Sequence, residues 1–118
     1  MRLNYIILIF SLVFSYGFTI KVTQNKGVIE TKKGLEDDWE LVKDIKQIQE
    51  TCLLQSFFQS EANVNANEIL KLNIKDLCLL RIKKIPNKNG VSLLLWYGNF
   101  NSVLIDSFSE IEIEKFKL

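Results

Sequence analysis

The first twenty residues carry a long apolar run that decides where the folded part of the chain begins. Residues 5–14 read YIILIFSLVF, and Arg2 is the one charge before them. A basic start, an apolar run of about 7–15 residues and then small residues are typical of a secretory signal peptide. With Ser15 and Gly17 at the −3 and −1 positions, we predict that residues 1–17 are a cleaved signal and residues 18–118 a single small domain. Cleavage after Ser15 is an alternative cut. The segment could instead be a soluble core helix or an uncleaved membrane anchor, but it falls short of the about 20 apolar residues that a spanning helix needs.

The next part of the chain changes from strand-like to helix-like spacing. Residues 18–24, FTIKVTQ, alternate apolar and polar side chains, which predicts a strand, and a short second strand is possible at 28–31. From Leu35 the apolar positions recur every three or four residues, and acidic residues crowd the start of this segment, where they favour a helix N-terminus. We therefore predict a long helix from about Glu36 to Phe58. Its apolar stripe comprises Leu35, Trp39, Val42, Ile45, Ile48 and Cys52.

The sequence from residue 60 onwards predicts mainly antiparallel strands. Residues 60–68, SEANVNANE, have few large apolar groups and are predicted to form a loop. In residues 68–76 the alternation of Leu70, Leu72 and Ile74 with polar residues favours a strand, with a helix as the alternative. Strands are then expected at 78–85, 91–97, 102–108 and in the closing EIEIEKFKL, with PNKNG as a hairpin connection. The predicted fold class is α+β: one long helix packed on an antiparallel β-meander, in the order β-α-β-β-β-β.

The predicted strand VSLLLWY is apolar on both faces. Val91, Leu93 and Leu95 alternate with Leu94 and Trp96. Either this is a central strand covered on both sides, or the second set belongs to an exposed apolar patch, which on a soluble domain marks a partner or ligand surface. The predicted binding surface comprises Leu94, Trp96, Tyr97 and Trp39, although Trp39 also suits the core-facing stripe of the predicted helix.

Charge and cysteine content narrow the possible partners. The chain has 15 basic and 14 acidic residues; removal of Arg2 with the signal leaves 14 of each and no net charge. A nucleic-acid-binding domain would carry a surplus of basic residues, so we expect that this protein does not bind nucleic acid. In an oxidising compartment Cys52 and Cys78 are expected to form one disulfide, which would stabilise the fold by roughly 3.5 kcal/mol. Two buried thiols, or a bridge between two chains, are the alternatives.

Several chemistries are excluded by residue types. There is no histidine, so neither a Ser-His-Asp nor a Cys-His pair can activate a nucleophile. Two cysteines without histidine cannot complete a structural zinc site. The five glycines show no nucleotide-binding spacing. Glu110, Glu112 and Glu114 are predicted to line the solvent side of a strand. We therefore expect no enzyme activity, no metal and no cofactor.

The sequence thus predicts a secreted small binding protein, effector-like or inhibitor-like, that contacts a protein partner through an apolar sheet surface. One alternative is a carrier of small apolar ligands, with a pocket between helix and sheet lined by Trp39, Phe57, Leu95 and Trp96. A histidine-free hydrolase is a second. A third is a lumenal subunit of the secretory pathway, held at the membrane by an uncleaved N-terminus; with a cleaved signal no stable membrane insertion is expected. The pattern leaves the oligomeric state open.

Overall fold

A computed structural model describes residues 17–116, and this part of the chain is built from strands alone. The predicted signal peptide, apart from Gly17, lies outside the described residues. No helix capable of crossing a membrane occurs in the described range. The eleven strands are β1 (Ile20–Lys26), β2 (Ile29–Lys32), β3 (Glu40–Leu41), β4 (Ile45–Ile48), β5 (Leu53–Ser56), β6 (Glu61–Ala66), β7 (Leu70–Lys75), β8 (Cys78–Lys84), β9 (Gly90–Tyr97), β10 (Phe100–Leu104) and β11 (Glu110–Lys115).

The strands form two sheets. The five-stranded sheet has the order β10-β7-β6-β1-β4, and the six-stranded sheet has the order β11-β9-β8-β5-β2-β3. Neighbouring strands are antiparallel, except that β11 runs parallel to β9. Connections of two to four residues join β1 to β2, β5 to β6, β7 to β8 and β9 to β10, each time from one sheet to the other. Such short connections require the two sheets to lie face to face, as in a β-sandwich.

A single apolar core fills the space between the sheets. In β7 Leu70, Leu72 and Ile74 are buried while the residues between them are not, as expected when successive side chains of a strand point to opposite faces. One cluster contains buried side chains from both sheets, for example Leu72 of β7 and Leu93 of β9. The predicted strands at 18–24, 68–76, 78–85 and 91–97 are therefore confirmed as β1, β7, β8 and β9.

The predicted α+β class is wrong, because residues 36–58 form three short strands instead of a helix. Strand β4 lies in the five-stranded sheet, whereas β3 and β5 lie in the six-stranded sheet. Asp44 and Thr51, in the connections, have positive φ angles of 58° and 70°, which no right-handed helix contains. Val42, Ile48 and Cys52 of the predicted stripe are buried, but they reach the core from separate strands and turns, whereas Leu35 and Ile45 are exposed.

Two further predictions about the strands need correction. Residues 60–68 are not a loop, since Glu61–Ala66 is β6, which lies between β7 and β1. Its inward residues are small: Ala62, Val64 and Ala66 are buried. The last strand is not part of an antiparallel meander, because β11 pairs in parallel with β9 after the chain has crossed to the other sheet through β10.

The predicted disulfide is also not formed: Cys52 and Cys78 are both free and buried. Cys78 lies opposite Ser56, the last residue of β5, whereas Cys52 precedes the first residue of that strand. Four residues of extended chain span about 13 Å. A disulfide needs Cα atoms within about 7 Å of each other, so the two thiols lie too far apart along the strand.

Candidate functional site

Leu94 and Trp96 lie on the outer face of the six-stranded sheet. Leu93 and Leu95 point into the core and are buried, while Leu94 and Trp96 are half-buried. Strand β9 is hydrogen-bonded to β8 on one side and β11 on the other, so only this outer face remains open. Among residues 17–116 all regular structure belongs to the two sheets, and no third layer covers the face. The two-sided apolar pattern of β9 therefore has one core face and one surface face.

Arg81 of β8 packs against the tryptophan. The register places Arg81 directly opposite Leu94, and its guanidinium carbon lies 5.3 Å from the centroid of the Trp96 ring. A guanidinium over an indole face at this distance is a cation–π contact. The pairing of β8 with β9 shifts at this point, because Leu79 pairs with Tyr97 and Leu80 with Leu95. Trp96 is consequently the extra residue of a β-bulge, a feature that re-aims a side chain out of the regular ladder.

Phe116 contacts the tryptophan from the other side. It directly follows β11, and its backbone N–H donates to the carbonyl oxygen of Leu95 at 2.8 Å, which continues the parallel pairing of the two strands. The centroids of the Phe116 and Trp96 rings are 6.5 Å apart with an interplanar angle of 29°. Offset aromatic pairs at this separation attract each other. We call Arg81, Leu94, Trp96 and Phe116 together the β9 patch.

Charged groups border the β9 patch. Lys83 and Glu114 lie on the same face, and with Arg81, Ser92 and Leu94 they line a recess of about 70 Å³. Pockets for drug-sized ligands have volumes of roughly 300–1,000 Å³, so this recess is too small to enclose one. An apolar and aromatic centre with a charged border is instead typical of a protein–protein contact surface.

The four residues of the predicted binding surface do not all meet. Tyr97 ends β9 beside the β9 patch and is 47% exposed. Trp39 precedes β3, at the opposite edge of the six-stranded sheet, and four strand spacings of about 4.8 Å separate β3 from β9. The ammonium nitrogen of Lys32 lies 5.4 Å from the centroid of the Trp39 ring. Trp39 is therefore separated from the patch, and it does not lie on a core-facing helical stripe.

Sequence reasoning missed Arg81 and Phe116. The alternation of CLLRIKK puts Arg81 on the outward side of β8, since Cys78, Leu80 and Ile82 are buried, and this could have been read from the sequence. Phe116 carries no comparable signal, because its position beside Trp96 depends on the parallel pairing of β11 with β9.

The pocket expected for a carrier is not formed by the residues predicted to line it. Leu95 points into the core and Trp96 lies on the opposite face of the same strand. Phe57 is exposed in the connection between β5 and β6, and Trp39 is at the far edge of the sheet. The helix that would have closed the pocket is replaced by strands.

Within the described range, no three His, Cys, Asp or Glu side chains are grouped closely enough to hold a metal ion. Burial raises the pKa of the Cys78 thiol to about 11, so this sulfur is a protonated core atom at neutral pH. No family model, curated protein or solved structure matches the chain.

Proposed function

We propose that this protein is a secreted binding protein that contacts a protein partner through the β9 patch. The observation that carries the proposal is the position of Trp96, half-exposed on an uncovered sheet face and held between Arg81 and Phe116. Tryptophan and arginine are the residues most enriched among those that dominate binding energy at protein interfaces.

The packing of Trp96 suits a binding role because the ring is already ordered. Immobilising a side chain with many rotamers at an interface costs about 0.5–1.5 kcal/mol. Because the contacts with Arg81 and Phe116 already order the Trp96 ring in the free protein, association loses less side-chain entropy at this residue. The buried Nε atom of Arg81 has no hydrogen-bond partner among residues 17–116. A partner carboxylate near the rest of the guanidinium would add a charge-assisted hydrogen bond.

Secretion is the other half of the proposal and rests on residues 1–17 alone. A lumenal protein held at the membrane by an uncleaved N-terminus would present the same β9 patch. The buried free cysteines are compatible with export, because shielded thiols react slowly with oxidants.

Site-specific photo-crosslinking tests which surface contacts a partner. A photoreactive residue replaces either Ser92, beside the β9 patch, or Thr23, on the outer face of the five-stranded sheet. Each variant is incubated with the extracellular fraction of the organism that produces the protein and is then irradiated. We expect adducts with a protein from position 92 and no protein adduct from position 23, which lies on the opposite sheet. Leu94→Asp should abolish them, whereas Ile45→Asp, at an exposed aliphatic residue on β4, should leave them unchanged. Adducts of equal yield from both positions, or adducts insensitive to Leu94→Asp, would contradict the proposal.

A further inference from the structure

The outer face of the five-stranded sheet has a different chemistry from the β9 patch. Strand register places polar side chains side by side across β1, β6, β7 and β10. A recess of about 430 Å³ runs over this face. Its first row consists of Thr23, Asn63, Asn73 and Asn101, and its second row contains Lys21, Asn65 and Lys71. We call these seven residues the amide face.

Asparagine is unusual at these positions, because it is among the residues depleted in strands. Asn63 and Asn73 form a cross-strand pair in which Nδ2 of Asn73 donates to Oδ1 of Asn63 at 2.8 Å. Among the described residues this leaves the NH2 group of Asn63 and the carbonyl oxygen of Asn73 for another ligand. Asn65 has a local role as well, since its amide binds the backbone and carboxylate of Glu68.

The charge of the amide face is positive. Lys21 and Lys71 lie in the same row on either side of Asn65, and two strand spacings make their backbones about 10 Å apart. Neither lysine takes part in an ion pair within residues 17–116. No carboxylate lines the recess, although Glu68 binds Asn65 at its border. The aliphatic side chain of Val103 also lies in this row, next to Lys71, but the charged groups of the recess are two ammonium groups, which attract an anion.

We propose that the amide face binds an anionic polysaccharide. A sugar hydroxyl both donates and accepts hydrogen bonds, as a carboxamide does, and a carboxylate or sulfate on the chain complements Lys21 and Lys71. Single-stranded nucleic acid suits the recess less well, because its bases need aromatic stacking platforms and no aromatic side chain lines it. This site is separate from the β9 patch and does not depend on the proposed protein partner.

Calorimetric titration of the mature chain with three polymers tests the proposal. Polygalacturonate carries carboxylates, dextran sulfate carries sulfates, and dextran is uncharged. We expect one or both anionic polymers to bind at 50 mM salt and dextran not to bind; the tighter of the two identifies the acidic group. Lys21→Gln/Lys71→Gln should weaken binding at least 10-fold. Lys43→Gln/Lys84→Gln, which removes the same charge from exposed positions elsewhere, should weaken it less than 2-fold.

A second variant separates recognition by the amides from simple attraction of charge. Asn73→Ala should weaken binding at least 3-fold while leaving its salt dependence unchanged, whereas the lysine variant should flatten that dependence. The proposal is overturned if neither anionic polymer binds, if the two lysine pairs contribute equally, or if Asn73→Ala has no effect. Tighter binding of poly(dT) than of both polysaccharides would also overturn it, in favour of a nucleic-acid ligand.

Discussion

Adjacent leucines of β9 have opposite environments, so shortening each to alanine tests the face assignment on which the proposed function depends. Leu93 is fully buried and lies between Ile82 and Ile113 in the sheet register. Truncation of a buried leucine costs about 2.7–5.0 kcal/mol, because transfer free energy is lost and a cavity remains. Leu94 is half-buried on the outer face, so Leu94→Ala should cost only about 1 kcal/mol, roughly half the transfer free energy of a leucine side chain.

Urea denaturation followed by far-ultraviolet circular dichroism measures both losses. With a slope of about 2 kcal/mol/M for a small domain, Leu93→Ala should lower the unfolding midpoint by about 1.4–2.5 M and Leu94→Ala by about 0.5 M. The first loss is a large part of the 5–15 kcal/mol by which such domains are stable. Similar shifts for the two variants would refute the reasoning, because they would mean that the outer face of β9 is covered as closely as the inner one.

The remaining predictions concern β11, the thiols and the N-terminus. A Cβ on Gly90 would lie 2.6 Å from the carbonyl oxygen of Glu110, so Gly90→Ala should destabilise the fold by about 1–3 kcal/mol in the same urea assay, and an unchanged midpoint would contradict the close approach of β11. Ellman's reagent should titrate neither Cys52 nor Cys78 in the native protein and both in 6 M guanidinium, and two fast native thiols would contradict their burial. The folded protein keeps the Cys78 proton at pH values where the unfolded chain has lost it, so stability should fall as pH rises from about 9 towards 11, and a Cys78→Ala variant should lose less over that range. Mass spectrometry of the exported protein should find Phe18 or Tyr16 as the first residue, whereas a retained Met1 would support the anchored alternative.

Strands were predictable wherever period-two alternation used large side chains. Leu70, Leu72 and Ile74 are large enough to mark the inner face of β7, and Val91, Leu93 and Leu95 do the same for β9. In β6 the same periodicity is carried by alanine and valine, which are too small to distinguish a core face from a polar turn. The core accommodates them because neighbouring strands contribute larger residues, and that compensation is a tertiary property.

The false helix shows how local spacing can mislead. Apolar residues spaced three and four apart predict one face of a helix, but short strands separated by connections of three and four residues give a similar spacing. The strands of this segment pair with β1, β2 and β8, which lie both before and after it in the chain. Tertiary pairing therefore overrides the local preference. The acidic residues read as a helix start lie instead in the exposed connection that precedes β3.

The β9 patch depends on a pairing that no local pattern predicts. Its residues come from β8, β9 and the end of β11, and only the parallel alignment of β11 with β9 brings Phe116 beside Trp96. That alignment begins at Gly90, where the absence of a side chain lets the backbone of Glu110 approach, and it ends at the hydrogen bond from Phe116 to Leu95. The close approach at Gly90 and the Trp96–Phe116 ring pair thus lie at opposite ends of the same parallel pairing of β9 with β11. The alternating glutamates of β11 keep the outward side of this edge strand charged, which opposes the addition of further strands. Leu94, Trp96 and Phe116 of the β9 patch are then the apolar part of this face.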